Sequence, residues 1–276
     1  MKGSLIKLEC VSAVYLLPLR LSNSRYNEFM QTWTSRTYKK EDKIYRGAFN
    51  FYRNENIYAE ESFDVYRDKK DQSYHYISEA VVKVTTGEIL NIHVEYIVNK
   101  EYIPTYVLIE KVMGKETSRE TFEYNSKRNH LAYKFSSSKH EDHSAEIATA
   151  PKYHIATPTA ASSMLFMRSK KFDASGKNSF NILVGFNQWE YKEAPVFKNV
   201  ILERANLTTE KMNIDGQNVQ ATQYRMYDEG TDFKNVKEPQ HVKIFLSQHG
   251  GIPYLVRTED GTKIQIKYLN DLTEKE

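Results

Sequence analysis

One stretch of the chain occurs twice, and it constrains the fold more than any other feature. The first copy opens at His93-Val94 and restarts after Ile103-Pro104, and the second opens at His241-Val242 and restarts after Ile252-Pro253. In each copy a strand-like run crosses a short polar turn, returns, and continues into a further hairpin. Consecutive runs joined by tight turns are typical of an antiparallel meander. The pattern therefore predicts one β-meander unit that is used twice.

Alternation of apolar and polar residues continues along most of the chain from Lys43 onwards. The 276 residues include 20 Tyr and 13 Phe but only 11 Gly and 7 Pro, which favours many strands with few interruptions. Thr86-Gly87-Glu88 and Asp215-Gly216 have the composition of hairpin turns. We therefore predict a mainly β fold, a duplicated antiparallel meander that forms a barrel-like or spiral β-roll with one or two short helices.

Two segments carry helix signals within this β pattern. Ser22-Asn23-Ser24 is a candidate cap for a helix from Arg25 to about Thr34. Thr157 is a candidate N-cap with Pro158 at the first helical position, and the apolar run that follows predicts a helix to about Ser169.

We divide the chain into four parts that form one continuous fold. Residues 1–42 are an N-terminal strand and helix segment packed on the roll, and residues 43–135 are the first half of the meander. Residues 136–156 are a polar linker, and residues 157–276 contain the second helix and the second half.

Charge and cysteine usage exclude several classes of protein. The net charge is +3 with acidic and basic residues interspersed, so we expect no direct binding to nucleic acid. Cys10 is the single cysteine, so no internal disulfide is possible. The apolar stretch from Leu5 to Leu21 is interrupted by Lys7, Glu9 and Arg20, so we expect neither a signal peptide nor a transmembrane segment. This predicts a cytoplasmic protein, or a periplasmic one if a leader has been removed.

A meander of this length has to curl or pack on itself, and curling encloses a concave apolar surface. A lumen lined by aromatic and aliphatic side chains suits an apolar ligand. The first functional hypothesis is therefore binding or carriage of an apolar or lipid-like small molecule, with the oligomeric state left open. The candidate ligand-binding residues are Tyr74, Tyr76, Tyr96, His154, Trp189 and Tyr191.

Two neighbouring strands carry the residues that could support catalysis. His75 and Glu79 share one face of the first strand, and His93 and Glu95 share one face of the second. Pairing across Gly87 would bring these groups towards an acid–base or metal cluster. The alternative is a mixed outer face whose charges pair between strands.

The second hypothesis is accordingly an isomerase, cyclase or hydrolase that uses these four residues on a hydrophobic substrate inside the roll. The third is a non-catalytic scaffold with a filled core. The sequence contains no recognised cofactor motif, and we predict neither a cofactor nor a metal site.

Several segments of the second half resemble a known family. Ala161–Arg168, the Asp215-Gly216 hairpin, and Val242–Leu246 leading to Ile252–Arg257 resemble uncharacterised bacterial β-roll proteins. These are grouped as a domain of unknown function and are similar in build to lipoprotein-carrier and glycolipid-binding spiral rolls. The resemblance covers residues 157–272, implies a roll, and transfers no catalytic motif.

Overall fold

The structure is a computed structural model that describes residues 42–171, 176–206, 209–214, 216–231, 241–246 and 251–273. The predicted helix from Arg25 to Thr34, the rest of segment 1–41, and Asp215 of the predicted hairpin turn lie outside the described residues. Within those ranges sixteen strands form one continuous sheet. The prediction of a mainly β fold is confirmed.

The strands follow the alternating segments of the sequence. They are β1 (Lys43–Arg53), β2 (Asn56–Arg67), β3 (Tyr74–Lys83), β4 (Ile89–Val98), β5 (Pro104–Met113), β6 (Glu116–Asn125), β7 (His130–Ser137), β8 (His143–Ala148), β9 (His154–Ile155), β10 (Lys177–Val184), β11 (Val196–Arg204), β12 (Glu210–Ile214), β13 (Gln217–Asp228), β14 (Val242–Leu246), β15 (Pro253–Arg257) and β16 (Thr262–Asp271).

The sheet has a simple order. It runs β8-β7-β6-β5-β4-β3-β2-β1-β16-β15-β14-β13-β11-β10-β9, and β12 pairs with β13 beside this path. Strand β1 pairs with β16, so the first and last described strands join the two halves. All pairs along the path are antiparallel except β9 with β10, which is parallel. The described strands do not close into a complete barrel, because the order ends at β8 and β9.

The sheet is curled around a shared core. Each strand places alternate side chains on one face, as Ala59, Glu61, Phe63 and Val65 show on β2. Buried residues from β1–β7 and from β10–β16 belong to one hydrophobic cluster. Two parts of the sheet that are far apart in strand order therefore face the same interior.

The segment from 153 to 169, which we call the inner segment, occupies this interior. It consists of β9, a series of turns and one 3₁₀ helix, Leu165–Ser169. Most of its residues are buried, including Ala161 and Leu165 at 0% exposure. The prediction of a helix from Thr157 to Ser169 is wrong in extent and in type.

The reason is that the polar groups of this segment have partners other than a helix. Thr157 Oγ1 lies 2.9 Å from Ser162 Oγ, so it does not cap a helix through its side chain. The N–H groups of Ala160 and Ala161 donate to the Glu61 carboxylate on β2. Tertiary contacts override the local helical pattern here.

Residues 136–156, expected as a linker, contain strands β8 and β9. Ala145 and Ile147 of β8 pack against the core, and their exposed neighbours alternate with them. This short alternation lies in a polar context, which is why the sequence did not reveal the strand.

The repeated Ile-Pro marks occupy matching places in their hairpins. Pro104 pairs with Val98 directly after a register shift in β4, and Pro253 pairs with Leu246 directly after a register shift in β14. Proline has no N–H to donate, so an irregular position at a strand start accommodates it. The internal duplication itself stays a prediction.

A candidate ligand site in the interior

The inner segment is held from both sides of the curled sheet. Tyr96 of β4 hydrogen-bonds to His154, with 2.8 Å between the hydroxyl and Nδ1. Met226, Ile244 and Val256, from β13, β14 and β15, line one cavity with residues of the inner segment. The cavity therefore lies between the inner segment and strands of the second half.

His154 is the central polar residue of this interior. The Tyr96 hydroxyl accepts the Ile155 N–H at 3.0 Å and is also hydrogen-bonded to His154 Nδ1. Complete burial lowers the pKa of His154 to about 3, so the imidazole is neutral at physiological pH.

The orientation of the His154 ring is fixed by aromatic neighbours. It stacks on Tyr96 with 5.2 Å between ring centroids, and the Phe166 ring meets it edge-on at 5.4 Å. Phe166 in turn packs against Phe180 of β10 at 4.8 Å. These contacts hold Nε2 in place. Among the described residues Nε2 is buried and has no hydrogen-bond partner.

The cavity beside this ring, which we call the His154 cavity, has a volume of about 30 Å³. Its lining is mainly apolar and consists of His154, Ala156, Thr157, Ser163, Met164, Phe166, Ile182, Met226, Ile244 and Val256. The Ser163 hydroxyl donates to the Ala160 carbonyl at 2.7 Å, and Thr157 is engaged with Ser162. His154 Nε2 is therefore the lining side-chain group whose hydrogen bond is not made.

Glu61 anchors the middle of the inner segment. Its carboxylate accepts the N–H groups of Ala160 at 2.6 Å and of Ala161 at 3.1 Å. Burial raises the pKa of Glu61 to about 7, although these N–H groups and the Ser78 hydroxyl favour the ionised form. The carboxylate supplies the hydrogen bonds that a helix cap would otherwise supply.

A second cavity of about 60 Å³ lies on the other side of Ala156 and Thr157 and also contacts Lys111, Glu120 and Asn187. Lys111 Nζ lies 3.5 Å from Glu120 Oε1 and donates to the Asn187 carbonyl at 3.1 Å. The Tyr133 hydroxyl donates to Glu120 at 2.9 Å and accepts from the Asn187 side chain at 2.8 Å. The polar side chains at this second cavity are thus hydrogen-bonded or ion-paired with one another.

The six predicted ligand-binding residues are distributed over several places. Tyr76, Tyr96 and His154 are buried in the interior, and the last two are in direct contact. Tyr74 is half-buried and stacks on Tyr102 with 5.1 Å between centroids.

Trp189 and Tyr191 are half-buried in the loop after β10. Tyr191 stacks on His143 with 4.0 Å between ring centroids. Neither Trp189 nor Tyr191 lines the His154 cavity. A role for this loop in ligand binding stays a prediction.

Three of the four predicted catalytic residues meet on the face opposite the core. His93 Nδ1 lies 2.6 Å from Glu79 Oε1, and His93 Nε2 lies 3.5 Å from Glu95 Oε1. Glu110 of β5 pairs directly with His93, and its carboxylate lies 3.5 Å from Arg119 Nε. Burial by itself lowers the pKa of His93, but the two Glu partners raise it to about 9. His93 is therefore a cation in an ion-pair network at neutral pH.

His75 does not join this cluster. Its Nε2 lies 2.8 Å from the Ser73 hydroxyl, and its strand neighbours are Ile97 and Tyr66. Within the described ranges no group of three or more His, Cys, Asp or Glu residues is arranged to hold a metal ion. The same ranges contain no helix with the length and apolar character needed to cross a membrane.

Sequence reasoning missed Glu61 and Glu110. The alternation of β2 places Glu61 on the same face as Ala59 and Phe63, which was the available signal for a buried carboxylate. Glu110 became apparent only from the pairing of β4 with β5, which sets it opposite His93.

The chain was compared with family models, curated proteins and solved structures. No family model and no curated protein matches the chain. A β-barrel-like protein of domain of unknown function DUF1849 from Brucella abortus aligns with 83% of this chain and 98% of its own, at 7% identity and a TM-score of 0.50. A DUF1089 family protein from Pseudomonas aeruginosa aligns with 85% of this chain and 95% of its own, at 8% identity and a TM-score of 0.34.

The first of these likenesses confirms the resemblance to an uncharacterised β-roll or barrel-like domain of unknown function. At this identity it concerns the fold alone. The chemistry has to be argued from the residues of this chain.

Proposed function

We propose that the protein binds or carries an apolar, lipid-like small molecule in the interior of the curled sheet, at the His154 cavity. The observation that carries this proposal is a mainly apolar cavity between the inner segment and strands of the second half, within the shared hydrophobic core. Apolar clefts with a few polar groups are the usual form of a small-molecule site.

The size of the cavity limits what enters without rearrangement. A cavity of roughly 150 Å³ is needed to take up benzene, and this one measures about 30 Å³. Two of its lining residues, Met164 and Met226, have unbranched and flexible side chains that repack readily. We expect a ligand to displace these two thioethers, and we expect an affinity below that of a preformed site.

Native mass spectrometry of the purified protein, compared with the denatured mass, tests the proposal. A copurified apolar molecule, or saturable binding of short-chain apolar probes, is the expected result. Ala156→Leu fills part of the cavity and should abolish binding, whereas Ala145→Leu on β8 is a matched change outside it. Equal binding by wild type and Ala156→Leu would place the ligand elsewhere.

A scaffold with a filled core is the second candidate. The observation that favours it is that the inner segment occupies the interior and leaves cavities of about 30 and about 60 Å³. A bare native mass together with no saturable binding of apolar probes would favour this function over ligand binding.

The enzyme hypothesis, the compartment and the absence of nucleic-acid binding stay predictions. Glu79, His93 and Glu95 lie on the face opposite the core, so chemistry in the interior would use other groups, such as His154, Glu61 or Glu120.

A further inference from the structure

The second cavity, which we call the Lys111 cavity, has a pair of opposite charges in its wall. Lys111 of β5 and Glu120 of β6 lie on the core-facing side of the sheet together with Ile109 and Phe122, and their side chains are 15% and 6% exposed. A buried ion pair often contributes no more to stability than two apolar residues of similar volume. Stability alone therefore does not explain a charged pair at this place.

Both charged groups keep hydrogen-bonding capacity within the described residues. Lys111 Nζ carries three protons and donates one to the Asn187 carbonyl at 3.1 Å. Glu120 Oε2 accepts the Tyr133 hydroxyl at 2.9 Å, whereas Glu120 Oε1 lies 3.5 Å from Lys111 Nζ. A direct bond between an ammonium and a carboxylate is about 2.7–2.9 Å long, so this ion pair contains a gap. Nζ can donate further bonds, and Oε1 can accept them.

A hydroxyl group suits both atoms at once. An ammonium can only donate, and an ionised carboxylate can only accept. A hydroxyl oxygen about 2.8 Å from each atom accepts from Nζ and donates its own proton to Oε1, which a separation of 3.5 Å allows. An ether oxygen lacks that proton. A carboxylate would be repelled by Glu120 and an ammonium by Lys111, so an uncharged group fits better than either ion.

Gly185 keeps the space in front of Glu120 open. A Cβ at this position would lie 3.4 Å from Glu120 Oε2. Gly185 does not have a positive φ, so its backbone conformation does not itself require glycine. The cavity of about 60 Å³ exceeds the roughly 30 Å³ that one water molecule occupies in the liquid. Phe186 and Gln188 in its wall are half-buried, so this side of the cavity lies close to the surface.

We propose that the Lys111 cavity binds the hydroxyl end of an uncharged alcohol, whose oxygen bridges Lys111 Nζ and Glu120 Oε1. A water molecule can form the same bridge, and the alcohol displaces it while its carbon chain contacts Ile109 and Phe122. The lining of this site has Ala156 and Thr157 in common with the His154 cavity, but its polar pair is its own. The proposal does not depend on the proposed function, and either can fail without the other.

The test compares four probes with chains of four carbon atoms, which are 1-butanol, its isomer diethyl ether, butyrate and butylammonium. Lysine labelled with ¹³C at Cε reports binding at this cavity through the Lys111 resonance, which Lys111→Met assigns. We expect 1-butanol to bind about tenfold more tightly than each of the other three, as one hydrogen bond allows. Equal or weaker binding of 1-butanol, or a Lys111 resonance that 1-butanol leaves unchanged, would overturn the proposal.

Glu120→Gln changes the charge preference of the cavity. The amide keeps an acceptor for the Tyr133 hydroxyl but leaves Lys111 without its countercharge. Butyrate should therefore bind this variant about tenfold more tightly than it binds wild type. Glu123→Gln is the matched control, because Glu123 is an exposed residue of the same strand. Butyrate that binds Glu120→Gln no better than wild type would show that the pair does not select the ligand.

Gly185→Ala keeps the proposal testable if Glu120→Gln does not fold. It leaves both charges in place and puts a methyl group at an ordinary contact distance from Glu120. We expect this variant to lose the shift of the Lys111 resonance with 1-butanol, and undiminished binding would overturn the placement of the hydroxyl. A shift of Lys111 with 1-hexanol as well as with 1-butanol shows that the hydroxyl ends a longer chain that leaves towards the surface. A shift with 1-butanol alone assigns the site to small alcohols.

Discussion

Glu61 offers the sharpest test of how the inner segment is held. The carboxyl is 1% exposed, and burial raises its pKa from 4.5 to about 7. A carboxyl whose pKa is raised on folding binds its proton more tightly in the native state. The native state therefore carries more protons than the unfolded state between pH 4.5 and 7, and stability falls as the pH rises through this window.

The size of the effect follows from the shift. At about 1.4 kcal/mol for each unit of pKa, the difference amounts to about 3 kcal/mol across the window. Glu61→Gln removes the titration and keeps one acceptor oxygen for Ala160 or Ala161. In the variant one of the two N–H groups loses its acceptor, which lowers the stability by an amount that does not depend on pH. Its stability should therefore lack the pH dependence that Glu61 gives to wild type.

Urea unfolding at half-unit steps from pH 4.5 to 8, followed by tryptophan fluorescence, measures both profiles. The free energy of unfolding of wild type minus that of Glu61→Gln should fall by about 3 kcal/mol over the window and stay constant above it. Glu60→Gln is the matched control, because Glu60 is the exposed neighbour on the same strand. Parallel profiles for wild type and Glu61→Gln would refute the reasoning.

Three further predictions concern other parts of the fold. Burial lowers the pKa of His154 from 6.5 to about 3. Below pH 6.5 the free energy of unfolding of wild type should therefore fall by about 1.4 kcal/mol per pH unit relative to that of His154→Phe. An equal pH dependence of the two proteins in urea unfolding would contradict this. A Cβ at Gly47 would collide with the Phe63 ring, so Gly47→Ala should lower stability by about 1–3 kcal/mol in the same assay, and an unchanged midpoint would contradict it. Tyr133→Phe leaves the buried Glu120 without its hydroxyl donor, so it should cost about 1–3 kcal/mol, and a loss below about 0.5 kcal/mol would show that the bond is dispensable.

Local alternation made the strands readable from the sequence. The pairing of β3 with β4 across Gly87 follows from a tight turn, and Gly87 has the positive φ of 87° that such a turn requires. The alternation also predicted which face of β3 and β4 is turned towards the core. Tyr76 and Tyr96 lie in the core, whereas Glu79 and His93 lie on the opposite face.

The long-range features could not be read in this way. The pairing of β1 with β16 and the curling of the sheet depend on contacts between residues more than 200 positions apart. The inner segment misled the sequence analysis because an apolar run after Thr157-Pro158 has the local pattern of a helix. Its turns depend on Glu61, which lies 99 positions from Ala160, and no local window contains both residues.

The two buried titratable groups that hold the inner segment respond to pH in opposite directions. Between pH 4.5 and 6.5, acidification stabilises the fold through Glu61 and destabilises it through His154, at similar rates. Their combined contribution should therefore be nearly constant in this window, fall below pH 4.5 through His154, and fall again towards pH 7 through Glu61. In Glu61→Gln the free energy of unfolding should depend on pH through His154 alone, and in His154→Phe through Glu61 alone. The double variant should show neither dependence. A double variant that keeps either slope would show that the titrating groups lie elsewhere in the molecule.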